Sequence, residues 1–330
     1  MSRSMLRSLC YASVSCLALT TQAFAQSEPQ PAPLPAEDGA IVAPDAVALS
    51  PVVVTASGFA QEIQDAPASI SIITREQLET QQFRNLTDAL RDVEGVAVTG
   101  TANEQDIFIR GLPGAYTLIL VDGKRQSTRD IRTNGNSGYE QNFIPPLEAI
   151  ERIEVVRGPM SSLYGSDAMG GVINVITRKV ADEWSGSVNA DLTLQEHSDS
   201  GDSHQEQFYL TGPIVSDLLG VQLWGRLYNR SEDKIESGWA KAGDHDLGGK
   251  LTLTPTERQE IVLTGGYTRL ERNANPGKTL EDDADSTRNK QDRLFYSLSH
   301  TGNWDFGTTD LSILQEKSER RSWVRSEEDG

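Results

Sequence analysis

The sequence predicts a chain in two unlike parts: a mixed α/β domain, then the first strands of an antiparallel, membrane-spanning β-barrel. Three observations carry this. Residues 60–180 alternate helix and strand signals separated by glycine-containing turns. From Trp184 onward, apolar residues fall at every second position, most clearly in WSGSVNADLTLQ. The links between these later segments alternate between short and long. A strand that is apolar on one side and polar on the other suits a wall with lipid outside and water inside. A soluble β-sandwich gives the same alternation but has no reason for the rhythm of link lengths.

The chain has 330 residues, of which 37% are hydrophobic, and a mean hydropathy of −0.43. No apolar run reaches the roughly 18 residues that a spanning helix needs, which excludes a helical membrane protein and leaves a barrel open. A formal net charge of −18 opposes a nucleic-acid partner, because phosphate binding needs a basic face. Arg3 and Arg7, the apolar stretch from Leu9 to Leu19 and Ala23-Phe24-Ala25 form a leader of residues 1–25, cleaved before Gln26. Cys10 and Cys16 both lie in it, so the mature protein is expected to hold no thiol or disulfide. Residues 26–48, rich in Pro, Ala, Gln and acid, read as a flexible linker.

Residues 49–57 carry the run Pro51-Val52-Val53-Val54-Thr55-Ala56. It is strand-forming and brief, and no local neighbour is expected for it. Such a strand suits β-augmentation by a partner, with about five backbone hydrogen bonds at roughly 1 kcal/mol net each. Residues 58–182 make the α/β domain. Ser69 to Thr74 reads as a strand, and Thr74 with Gln77 as a capping box that opens a helix. Asn85 to Arg91 fits a second helix. Residues 107–109, 116–121, 153–156 and 172–177 fit strands. Gly165, Gly170 and Gly171 allow tight turns and close backbone approach. Residues 183–330 give seven strands, starting with the face Trp184, Gly186, Val188, Ala190, Leu192, Leu194. The pattern recurs near 205–214, 221–229, 247–254, 261–269, 293–300 and 309–315. Links near Ser216, Thr256 and Gly302 are short, whereas those across 230–245 and 271–292 are long and charged. Barrels in outer membranes have short periplasmic turns and long external connections, which assigns the two ends.

The segment IERIEVVRGPMSSLYGSDAMGGVINVITRK (150–179) resembles the plug signature of TonB-dependent outer-membrane receptors. DIFIRGLPGAYTLILVDGKR (106–125) and APASISIITREQL (66–78) resemble other parts of that plug, and the likeness continues through SGSVNADLTLQEHSDSGD and TGPIVSD. Within the family the chain is most similar to the catecholate siderophore type, the colicin I receptor in particular. The resemblance implies a TonB box at 51–56, a plug at 58–182 and a barrel of 22 strands, of which seven are present. On that view the chain is an N-terminal fragment. An open sheet in lipid leaves two unpaired edges, at a cost of tens of kcal/mol.

The resemblance further implies active uptake of a ferric, catecholate-type siderophore at the outer membrane of a Gram-negative bacterium. Energy is coupled through TonB and its inner-membrane partners. No cofactor is implied, since iron travels within the ligand, and a colicin-like bacteriocin is a further partner that the resemblance allows. The alternative is a non-transporting binding protein or bacteriocin docking receptor using the same residues. In the family, arginines at the positions of Arg110 and Arg157 pair with glutamates of the inner barrel wall; guanidinium groups suit that role because they grip carboxylates bidentately. Arg129, Arg132, Asn134 and Tyr139, in a polar stretch across 126–141, are candidates for an anionic ligand, with Tyr116 a second site. Glu151, Glu154, Asp122 and Lys124 read as local ion pairs or turn residues. His197, His204, His245 and His300 lack metal spacing, and Glu281 to Asp285 lacks an EF-hand pattern. Nothing resembles a GxSxG, Walker-A or HExxH motif, so no enzyme chemistry is expected. The exported protein is expected to begin at Gln26, which N-terminal sequencing of envelope material checks.

Overall fold

The computed structural model describes residues 53–54, 61–62, 69–81, 83–101, 104–126 and 140–326. Near its start, β1 (Val53–Val54) pairs antiparallel with β2 (Gln61–Glu62), Val53 opposite Glu62 and Val54 opposite Gln61. This corrects the expectation that the run has no local neighbour. A β-branched pair in extended conformation takes the nearest free backbone, and here that is its own chain.

The α/β domain follows. β3 (Ser69–Ile73) leads into α1 (Arg75–Thr80), whose capping box is formed as expected. The Thr74 hydroxyl accepts from the Gln77 amide at 3.4 Å, and the Gln77 side chain accepts from the Thr74 amide at 2.9 Å. α2 (Leu86–Leu90) starts at Asn85, whose side chain accepts from the Asp88 amide at 2.9 Å. β4 (Val96–Thr101), which the sequence reading left out, pairs with β5 (Glu104–Ile109). β6 (Thr117–Val121) and β7 (Lys124–Arg125) form a tight hairpin. β8 (Ile150–Arg157), the short α3 (Ser161–Tyr164) and β9 (Gly171–Thr177) complete the domain.

The five-stranded sheet runs β3-β8-β9-β6-β7, with β6 parallel to β9 and the other pairs antiparallel. Alternation along each strand buries both faces. Ile119, Ile153, Val155, Ile173 and Val175 join Leu78, Leu86, Leu90 and Ile109 in one core. Leu118, Leu120, Val156 and Val172 join Met160 and Ala168 in the other. Each buried aliphatic side chain contributes roughly 1.5–3 kcal/mol. Two glycines are required by geometry. Gly165 has φ +83°, and a Cβ on Gly171 would stand 2.3 Å from the Val156 carbonyl oxygen.

Seven strands then form one antiparallel sheet in sequence order: β10 (Ser185–Thr193), β11 (Ser203–Val215), β12 (Leu219–Arg230), β13 (Lys241–Thr256), β14 (Gln259–Ala274), β15 (Ser286–Trp304) and β16 (Gly307–Arg325). The sheet is open, with β10 and β16 at its edges. The number of strands matches the sequence reading, but their ends differ. Strands β13 to β16 run well beyond their apolar cores into segments expected to be loops. Beyond the apolar band both faces are mostly polar, so the alternation fades while the backbone ladder continues. The last short turn falls between Trp304 and Gly307 rather than at Gly302, which is still paired with Gln259 and Thr309.

Register aligns the exposed apolar side chains into one outward band. Val188 lies beside Phe208, Leu247 beside Tyr267, and Leu263 beside Leu298; Val188 is 81% exposed and Ile313 75%. The opposite parity carries Gln222, Arg226, Lys250 and Arg293 on the inner face. Gly171→Ala is expected to destabilise the α/β domain by about 1–3 kcal/mol, because the new methyl group has no room against the Val156 carbonyl. A lowered denaturation midpoint of the folded chain checks this.

Candidate functional site: the inner face of the wall

The α/β domain rests against the inner face of the sheet, held by three kinds of contact. The first is ionic. Asp122, in the β6–β7 turn at φ +49°, meets Lys250 of β13 at 2.5 Å. Lys250 also donates to the Thr177 hydroxyl, and the Asp122 carboxylate accepts from the Thr177 amide at 2.8 Å. Burial alone would raise the Asp122 carboxyl, but the Lys250 ammonium and the Thr177 donors outweigh it and hold the pKa below its ordinary value. Burial lowers the neighbouring Lys124 ammonium; Asp122 opposes that shift and Lys250 adds to it. Lys124 reaches Ser297 and Ser299 of β15, both at 3.4 Å.

The second kind joins wall side chains to domain carbonyls. Arg293, 2% exposed, donates to the Phe143 carbonyl at 2.8 Å and to the Gln126 side chain, and pairs with Glu316 at 3.1 Å. Its guanidinium lies 5.8 Å from the Phe143 ring centre and 4.4 Å from that of Phe295. Arg226 donates to the Asn142 carbonyl at 3.3 Å, and Gln222 to that of Arg178 at 2.8 Å. The third kind is side chain on side chain. Glu148 accepts from Asn189 at 2.7 Å and from Gln207; Ala149 packs on Tyr209 and Trp224; Arg178 lies 4.8 Å over Tyr209.

Toward the long connections, domain and wall enclose a cavity of about 230 Å³. Its charged lining is Arg84 and Arg91 from beside α2 and Arg226, Arg230 and Arg272 from the wall, with Asp88 and Asp244 among them; Asp246 and Asp233 pair with Arg226 and Arg230 from behind. Tyr228 and Trp239 add aromatic surface. In a chain of net charge −18, this is an arginine-rich recess, five guanidinium groups facing four paired carboxylates, at the end assigned to the exterior.

Comparison with known proteins fits this architecture. Residues 62–172 match the TonB-dependent Receptor Plug Domain. An iron-regulated outer membrane virulence protein of Vibrio cholerae is 46% identical over 278 residues, covering 82% of this chain and 42% of that protein. The chain belongs to the TonB-dependent receptor family. The ferrienterobactin receptor of Escherichia coli is 33% identical over 310 residues, covering 83% of this chain and 41% of the relative. Among solved structures, the siderophore receptor PirA from Acinetobacter baumannii superposes with a TM-score of 0.67 at 30% identity, over 76% of this chain and 40% of PirA. The chain thus spans about two-fifths of the length of these relatives. The α/β domain is the receptor plug, and the open sheet is part of the receptor wall.

In the plug, Arg110 and Arg157 come together at one corner. The Arg110 amide donates to the Gly95 carbonyl at 2.9 Å, and a Cβ on Gly158 would lie 3.3 Å from the Arg110 guanidinium. Arg157 donates to the Glu94 carbonyl and lies 3.9 Å from the Glu94 carboxylate, while its buried Nε has no partner among the described residues. This corner lies at the end of the plug sheet where Arg157 faces Gly171; the wall touches the opposite end, at Thr177 and Arg178. Tyr116 sits in a 3₁₀ turn, its carbonyl accepting from the Gly170 amide, and does not line the arginine-rich cavity. Arg129, Arg132, Asn134 and Tyr139 lie outside the described residues, as do Pro51, Val52, Thr55 and Ala56 of the expected TonB box.

Asp122 is a turn residue, as the sequence suggests, but its ion pair and the side-chain contacts of Lys124 reach the wall rather than local neighbours. Those wall partners stand more than a hundred residues away, and sequence proximity offers no hint of that. Glu154 does pair locally, with Arg152 at 2.8 Å. The cavity arginines were missed as well. A signal existed: Arg226, Tyr228 and Arg230 share the inward parity of β12, opposite the apolar set Val221, Leu223 and Leu227.

Asp122→Asn is expected to loosen the plug by about 1–3 kcal/mol, read as faster proteolysis of the plug in the assembled chain. Lys250→Met in the same chain should recover part of that loss, because no buried charge is then left unpaired. The Asp122 pKa is lower folded than unfolded. Its contribution is therefore complete above the unfolded value of 3.8 and is lost as pH falls through the folded one. Plug protection should hold from neutral pH down to about 4 and weaken below that.

Proposed function

We propose that this chain supplies the coupling strand, the plug and seven wall strands of an outer-membrane receptor that takes up a ferric catecholate siderophore. The observation that carries the reading is the arginine-rich, aromatic-lined cavity between plug and wall at the external end. A ferric catecholate complex is a multiply charged anion with flat aromatic rings. Arginines attract it over distance, and Trp239 and Tyr228 offer stacking surface. The ferrienterobactin and siderophore receptors among the relatives support the same ligand class. The apolar outward band and the cleavable leader support an outer-membrane location.

Energy enters at the other end. Residues 51–56, carried at the end of a Pro- and Ala-rich linker, serve as the TonB box. A periplasmic segment of TonB adds to this strand by backbone pairing, displacing the short β1–β2 ladder. Force along that strand rearranges the plug. The Asp122–Lys250 pair and the Arg293 contacts decide which part of the plug stays against the wall.

Binding of a ferric catecholate should weaken steeply as salt rises, and an uncharged ferric complex should bind poorly. Equal affinity for the two complexes, with no salt dependence, would overturn the ligand class. Removing residues 51–56 is expected to abolish uptake in iron-limited cells and to leave binding intact. Undiminished uptake would refute the coupling role.

A further inference from the structure

Two adjacent carboxylates, Glu232 and Asp233, reach in opposite directions across the three long connections, 194–202, 231–240 and 275–285. The Asp233 side chain is 5% exposed and gathers four donors. The Gly201 amide donates to it at 2.7 Å, the Trp239 amide at 2.8 Å, and Arg230 through both Nη1 and Nη2 at 2.8 Å. Arg230 also donates to the Ser231 carbonyl and lies 5.5 Å over the Trp239 ring. The Glu232 side chain, 4% exposed, accepts from the Asn275 amide at 2.7 Å, from the Asn275 side chain at 2.6 Å and from the Thr279 hydroxyl at 2.6 Å. Backbone bonds reinforce both links: Lys234 to Asp199, Ser231 to Asp202, and Ser237 to Thr279.

Arg230 and Trp239 both line the external cavity, and Trp239 stays 39% exposed. We infer that Asp233 is the positioning residue of this cavity, presetting the Arg230–Trp239 pair as a stacking surface for an anionic aromatic ligand. The inference rests on the ligand-facing reading of the cavity given above. The physical argument is preorganisation. An exposed tryptophan on a free connection loses its freedom when ligand binds, whereas one fixed through its own amide has already lost it. A single carboxylate that holds the amide of Trp239 and the fork of Arg230 fixes both partners of the stack at once. Burial works against the Asp233 charge, but the Gly201 and Trp239 amides and Arg230 lower its pKa below the ordinary value, so the grip persists at neutral pH. Glu232 serves the neighbouring connection and leaves Trp239 untouched.

The test is a double-mutant cycle in the full chain folded into detergent, read by ferric catecholate binding and by hydrogen exchange. Asp233→Asn should speed exchange at the amides of Gly201 and Trp239, keep wall amides protected, and weaken binding about tenfold. In a Trp239→Ala background the same change should cost nothing further. Glu232→Gln should free the amide of Asn275 and leave affinity within about twofold. Unchanged binding by Asp233→Asn, or an equal loss in the Trp239→Ala background, overturns the inference. If Asp233→Asn fails to assemble, Arg230→Lys, which keeps the charge but loses the fork, is expected to show the same dependence on Trp239, and its absence overturns the inference. If the unmodified chain binds no ferric catecholate, the ligand assignment falls. Exchange at Gly201 and Trp239 then judges Asp233 alone, and protection undiminished in Asp233→Asn overturns its role.

Discussion

Backbone pairing between neighbouring wall strands is the interaction on which the rest of this structure depends. In hydrocarbon a peptide group cannot turn to water, so each strand must find its partners in the next one. From β12 to β16 the ladders run from the short turns past the apolar band and up into the polar zone, with one register shift between Leu253 and Thr256 near a turn. Once that register is set, the direction of every side chain follows. Leu247, Leu263 and Leu298 go outward; Gln222, Lys250 and Arg293 go inward. The inner face is thereby free to be as polar as the plug requires.

The grip on the plug uses that freedom in two ways. Arg226, Arg293 and Gln222 bind carbonyls of residues 142, 143 and 178, which every amino acid offers. Those contacts depend on the path of the plug backbone more than on its sequence. Asp122 with Lys250, by contrast, needs one acid at one turn. Each ion is mostly buried, so either alone would be costly, and the pair specifies a position more than it adds stability. A plug held this way can keep its core intact while its seat on the wall changes.

Period-two patterning, capping residues and turn glycines are local signals, and what rests on them was legible in the sequence. Thr74 and Gln77 close their capping box, Asn85 caps α2, and the seven wall strands follow the alternation that begins at Trp184. Strand ends were less legible, because charged segments such as 286–292 and 317–325 carry no apolar face to mark them. The hairpin partner β4 was missed for a similar reason: it is short, and of residues 96–100 only Val96 and Val98 are partly buried. Contacts between distant segments were the hardest to read. Asp122 looks like any turn aspartate until the wall brings Lys250 to it, and Arg157 finds the Glu94 carbonyl across the plug rather than along its own strand. Asp233 is the extreme case, since its donors come from three separate places in the chain.

The strict outward–inward alternation of the wall also governs how its length can vary. A residue added within β15 above Arg293 would turn one side of the strand over, sending a guanidinium toward lipid and a leucine toward the plug. Inserted pairs restore the facing and merely lift the strand. The connections 194–202, 231–240 and 275–285 carry no such parity. Receptors built on this plan can therefore diverge freely in their external connections, while between them their walls change length in steps of two.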